Sequence, residues 1–102
     1  MYKVSITEKA AADLDGIISY IALDLANPAA ATDFAEEVSK CYDGLRHMPY
    51  MYEKCRDKRL LDMGYRKAVI KNYIMIYRVA EAEQAVYVMR FFYGARDYEK
   101  LI

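Results

Sequence analysis

Apolar and polar positions alternate along "YKVSI" (2–6), a β-rich run that predicts a short strand. Thr7 then offers a side-chain N-cap and Glu8 an acid in the first helical turn, where the helix dipole favours it. From there the period changes. Ala10, Leu14, Ile17, Ile18, Ile21 and Leu25 recur at steps of three and four and form one stripe, with Asp13, Asp15 and Asp24 largely on the opposite side. Gly16 lies inside this helix, where Gly costs about 1 kcal/mol relative to Ala, so a close packing contact is expected there. Asn27 and Pro28 close this helix and open the next, since the residue before Pro avoids the α region and Pro suits the first helical position.

The second helix carries Phe34, Val38, Cys41, Tyr42, Leu45 and Met48 on one face, Asp33, Glu36, Glu37 and Lys40 on another, and is expected to stop before Pro49. Residues 50–58 have no clean period and read as a loop. "RLLDM", "YRKAVI", "YIMIYRV" and "AVYVMRFFY" then read as β-like runs, with a tight turn at Lys71-Asn72, where Asn tolerates a left-handed conformation, and a longer one at "AEAEQ". Strict alternation places Tyr73, Met75, Tyr77 and Val79 on one side of their strand. In the last strand it sets Val86, Val88, Arg90 and Phe92 against Tyr87, Met89, Phe91 and Tyr93. The expected fold class is α+β, in the order β-α-α-β-β-β. A two-helix hairpin packs on one face of a mainly antiparallel sheet, and the other face is open to solvent or a partner.

Length and composition agree with a single domain over residues 1–102. At 102 residues folding can bury about 65% of the open chain's surface. A 56% hydrophobic content with only 4 Gly and 2 Pro argues against disorder. The chain lacks a membrane-length apolar run and a signal-peptide layout, so a cytoplasmic protein with no membrane partner is expected. Cys41 and Cys55 lack zinc-ligand spacing, and the lone His47 cannot complete a Cys/His set, so reduced thiols, no metal and no cofactor are expected.

The charges balance at 15 of each sign but are unevenly placed. Residues 1–52 hold four cations against eight acids, whereas 53–78 hold Lys54, Arg56, Lys58, Arg59, Arg66, Lys67, Lys71 and Arg78 against only Glu53, Asp57 and Asp62. A basic middle suits phosphates or an acidic protein segment; a salt-bridged solvent face is the plainer alternative. Arg66, Arg78 and Arg90 fall within strands. Burying a guanidinium unpaired is costly, so each should reach solvent or meet a carboxylate such as Asp62, Asp97 or Glu99.

The pieces "MYKVSITEKAAADL", "NPAAATDFAEEV", "GYRKAVIKNYIMIYRV" and "FFYGARDYEKLI", in that order, resemble the RelE/ParE superfamily nearly end to end. That superfamily comprises the toxic halves of bacterial type II toxin-antitoxin, or plasmid-stabilisation, modules. The resemblance implies a growth-inhibiting toxin held in check by a cognate antitoxin, with the last strand and tail forming the functional edge. Two mechanisms divide the superfamily. RelE-like members are ribosome-dependent endoribonucleases that cut mRNA by 2′-OH attack, which needs a base, an acid and cations. In that reading Arg66, Lys71, Arg90, Tyr93 and Arg96 are the candidate catalytic residues. However, Tyr93 stands where many members have His, Ile74 where the ribonucleases usually have Arg, and Ala95 near the position of a tail Arg. A phenol with a pKa near 10 is a poor general base at neutral pH. The ParE-like branch poisons DNA gyrase by protein contact and needs no catalytic set; its members commonly share the two-helix hairpin, the "YxxxYRV" strand and "GARD". This branch is the favoured reading, with Tyr93, Arg96 and Tyr98 as contact residues because Tyr and Arg anchor protein interfaces. Arg59, Arg66 and the groove between the helices are the expected antitoxin contacts.

Overall fold

A computed structural model describes residues 1–94, 98–100 and 102. Strand β1 (Lys3–Ile6) runs into helix α1 (Glu8–Ser19), whose N-cap is the expected Thr7: its side chain accepts from the Ala10 amide. Helix α1 does not end in a cap. It widens into a π-turn, Tyr20–Asp24, and the chain reverses through Ala26 before α2 (Pro28–His47) begins. Asn27 caps α2 by accepting from the Ala30 amide, and Pro28 takes the first turn.

Ala26 lies at φ 48, a left-handed conformation that costs a residue with a Cβ about 1–2 kcal/mol. It is exposed, so little else opposes a change there. Ala26→Gly is expected to stabilise the fold by about 1 kcal/mol, read as a rise in the urea midpoint with unchanged slope.

Three strands follow: β2 (Tyr65–Ile70), β3 (Tyr73–Ala80) and β4 (Ala85–Tyr93). Successive strands pair antiparallel, while β1 adds to β4 in parallel, giving the spatial order β1-β4-β3-β2. The result is a four-stranded mixed sheet with the helix pair on one face, the α+β layout expected. The hairpin's core gathers Ala10, Ile21, Ala31, Phe34, Val38, Cys41 and Leu45 against Met75, Tyr77, Val86, Val88 and Phe91. Met48 and Leu25, read as members of the apolar stripes, are exposed instead, because each lies where its helix has already ended.

Four local readings are corrected. "RLLDM" is not a strand: Asp57 accepts from the Leu60 amide and starts a short helical turn, α3 (Lys58–Asp62), which places Leu60 in the interior. The sheet's second face is therefore not open. Leu60 and Cys55 cover it together with Tyr65, Ile74, Ile76, Phe92 and Tyr98 as a second core. In the β2–β3 turn the left-handed residue is Lys71 (φ 55), not Asn72.

The fourth concerns alternation in β4, which fails at a bulge. Ile76 pairs with Arg90 but Tyr77 pairs with Val88, so Met89 is the extra residue. Beyond it the faces exchange, placing Phe91 under the helices and Phe92 in the second core. The bulge also coincides with the end of β1. Thr7 donates its amide to Val88 O and its hydroxyl to Met89 O, and past that point β4 has no neighbouring strand on that side among the described residues.

Candidate protein-binding cleft

Where β1 stops, α1 diverges from β4 and leaves a cleft of about 1060 Å³. One wall is the hairpin (Asp13, Gly16, Ile17, Tyr20, Ile21 and the start of α2), the other is the end of β4 (Arg90 to Tyr93), and the β2–β3 turn closes the floor with Lys71, Asn72 and Tyr73. Aromatic rings run through it: Phe34 lies 5.1 Å from Tyr73, which meets Tyr93 edge-on at 5.6 Å. Burial first, then the neighbouring phenols of Tyr20 and Tyr93, push the Tyr73 hydroxyl above its ordinary pKa, so at neutral pH it remains a proton donor rather than a base.

Gly94 explains the turn after β4. Its amide donates to Asn72 O at 2.8 Å, and a Cβ there would meet that same carbonyl oxygen at 3.1 Å. A side chain would push the end of β4 away from the β2–β3 turn, so the "YG" step keeps Tyr93 at the cleft mouth. Tyr93 is half exposed.

The acidic anchor of the cleft is Asp13. Its carboxylate accepts from Arg90 Nε at 2.6 Å, from Arg90 Nη2 at 3.2 Å and from the Phe91 amide at 3.0 Å. Arg90 also lies 4.8 Å over the Phe92 ring. The hydrogen bond to Asp13 holds Arg90 more firmly protonated than usual, against a smaller opposing effect of desolvation. Its partner is thus Asp13 of α1, rather than one of the acids near the strands. An acid on the supposed solvent side of an amphipathic helix gives no such signal in one dimension.

The remaining candidates are dispersed. Lys71 shares the cleft with Arg90 and Tyr93. Arg66 does not. It pairs with Tyr77, four rungs from the Tyr73–Tyr93 rung, or about 14 Å along the strand. Its guanidinium donates to the carbonyls of Tyr52 at 2.8 Å and Tyr50 at 3.4 Å and sits 4.9 Å over the Tyr50 ring. Arg78 likewise rests over an aromatic ring, Tyr87, at 4.7 Å. Arg59 projects from α3 and donates to Ile102 O at 3.1 Å. Tyr98 is buried and stacks on Phe92 at 6.2 Å, so its ring serves the second core. Arg96 lies outside the described residues. Asp13, Gly16 and Tyr20 were not among the expected site residues, yet they form the cleft's helical wall.

A hairpin of two helices on a four-stranded mixed sheet is a fold shared with toxin-antitoxin complexes of known structure. A model of the ParE toxin of type II toxin-antitoxin systems matches residues 4–98. The chain belongs to that family. The fold is similar to the chromosomal ParDE toxin-antitoxin system of P. aeruginosa, with a TM-score of 0.67 and 21% identity, covering 89% of this chain and 94% of that one. It is also similar to the RelBE2 toxin-antitoxin complex of Mycobacterium tuberculosis, with a TM-score of 0.57 and 23% identity, covering 90% and 96%. No curated protein matches significantly. Among the described residues no helix is long and apolar enough to cross a membrane.

Proposed function

We propose that this toxin acts by protein contact on DNA gyrase and is neutralised by a cognate antitoxin. The observation that carries this reading is the dispersal of the catalytic candidates. Arg66 lies about 14 Å along its strand from the Tyr73–Tyr93 rung and is committed to the carbonyls of Tyr50 and Tyr52. Arg90 is held by Asp13. Cleavage by 2′-OH attack needs a base, an acid and cations within reach of one phosphate, and among the described residues the cleft brings together only Lys71, the paired Arg90 and Tyr93 of the candidates. A contact poison needs a shaped, partly apolar surface, and the cleft mouth has one in Tyr20, Leu25 and Tyr93, all about half exposed. Support for the antitoxin comes from the toxin-antitoxin assemblies that share the fold.

Tyr93→Phe separates this reading from RNA cleavage. It keeps the ring and its edge contact with Tyr73 and removes only the hydroxyl. Growth arrest after induced expression without antitoxin is expected to match that of the parent chain within about twofold, whereas loss of a catalytic acid typically costs about 10²-fold or more. Abolished toxicity with a normally folded variant would favour the ribonuclease mechanism.

A further inference from the structure

Strand β2 is the outer strand of the sheet on the side away from β1, and only half of its free edge is covered. Its odd-numbered residues direct their main-chain groups away from β3. Residues 53–55 pair with them antiparallel: Lys67 donates its amide to Glu53 O and Tyr65 O accepts from the Cys55 amide, both at 3.0 Å. That register sets Glu53 opposite Lys67, and their side chains meet as an ion pair at 3.4 Å. Before Glu53 the chain is no longer on the edge, because the Tyr52 ring packs on Tyr77 and the Met51 amide bonds Met48 O. By the same alternation the Val69 amide and carbonyl point outward, and no described residue takes either.

Two side chains frame this gap. Val69 is 68% exposed, and a β-branched apolar residue on a bare edge invites another strand. Lys71 sits at φ 55, a conformation that favours Gly or Asn, and has no ion-pair partner among the described residues. The charges decide against a second copy of this chain. Two-fold antiparallel pairing at Val69 would bring each Lys67 to the other copy's Lys71, and like charges across a strand pair are destabilising. The covered half shows the arrangement that does fit, an acid across from a lysine.

We infer that the open half of β2 is a strand-addition site for the target, and that its occupant is an extended, acidic segment of gyrase. In that segment an Asp or Glu beside Lys71 is followed two residues later by a β-branched or aromatic residue opposite Val69. Antiparallel pairing gives the second residue both bonds to Val69, and the incoming strand stops where Glu53 begins. Lys71 also lines the floor of the cleft, so this edge adjoins the contact surface at the cleft mouth. The inference rests on the gyrase reading and not on the antitoxin.

The test uses the full chain and intact purified gyrase. Titration of the parent, Val69→Pro and Lys71→Glu chains is paired with amide exchange followed by mass spectrometry. On binding, exchange at Val69 is expected to slow at least about 10-fold. Val69→Pro removes an amide that β3 does not use, and Lys71→Glu reverses an exposed charge, so thermal melts should show both folded. Each is expected to weaken gyrase affinity by about 10-fold or more. Binding that leaves Val69 exchange unchanged, or that Lys71→Glu does not weaken, overturns strand addition and leaves the gyrase reading standing. Protection of Val69 by the antitoxin, or by the chain alone at high concentration, but not by gyrase, overturns it as well. Failure of the parent chain to bind gyrase overturns both.

Discussion

Replacing Asp13 with Ala is expected to cost about 2–3 kcal/mol and to lower the melting temperature by roughly 10–20 °C. One carboxylate accepts three hydrogen bonds, two from Arg90 and one from the Phe91 amide. The side chains of Arg90 and Asp13 are 25% and 19% exposed, so removing the acid leaves a mostly desolvated guanidinium and a backbone donor without partners. Breaking a fully buried pair costs about 3–5 kcal/mol, and residual solvent reduces that here. The double variant Asp13→Ala/Arg90→Leu is expected to recover at least half the loss, because an uncompensated charge costs more than the absence of a pair. Chemical denaturation of both variants checks it. A single-variant loss below about 1 kcal/mol would mean the pair is a solvated surface contact.

The second large effect is alkaline. Burial raises the phenols of Tyr42, Tyr52 and Tyr77 to about 12, with Cys41 adding to the shift at Tyr52. Tyr77 is fully buried and donates to Pro49 O at 2.9 Å; the hydroxyl oxygen of Tyr42 is buried with no partner among the described residues. The unfolded chain ionises these groups near pH 10 and the folded chain near 12, so the folded state favours the neutral form. Their contribution is complete below pH 10 and is lost as pH rises from 10 to 12. Two units at Tyr77 alone correspond to about 2–3 kcal/mol. Urea midpoints should be flat from neutral pH to about 9.5 and fall steeply above 10, in step with phenolate absorbance. In Tyr77→Phe the fall should be shallower. A midpoint independent of pH up to 12 would show that these hydroxyls reach solvent.

Much of this was legible in one dimension because it depends on local chemistry. Thr7 and Asn27 cap the helices they were expected to cap, Pro28 starts α2, and the apolar period changes from about 3.6 to 2 where helices give way to strands. Less visible was whatever depends on distant partners or on a single inserted residue. "RLLDM" has β-like composition, but one Asp57 cap decides for a helical turn and so covers the face expected to be open. One bulge at Met89 exchanges the faces of Phe91 and Phe92, which period-2 reasoning cannot foresee. The cleft shows the same division. Lys71, Arg90 and Tyr93 were expected and do line it, whereas Asp13 read as solvent-facing and Gly16 as a packing contact. Both belong to the helix opposite β4, and only the tertiary fold brings them there.

The most direct measurement is DNA supercoiling by purified gyrase in the presence of the purified chain, run beside a translating extract in which mRNA integrity is followed. Supercoiling should fall as the chain is added, recover when the antitoxin is supplied in equal amount, and leave mRNA intact. Undiminished supercoiling together with ribosome-dependent cuts in mRNA would contradict the account.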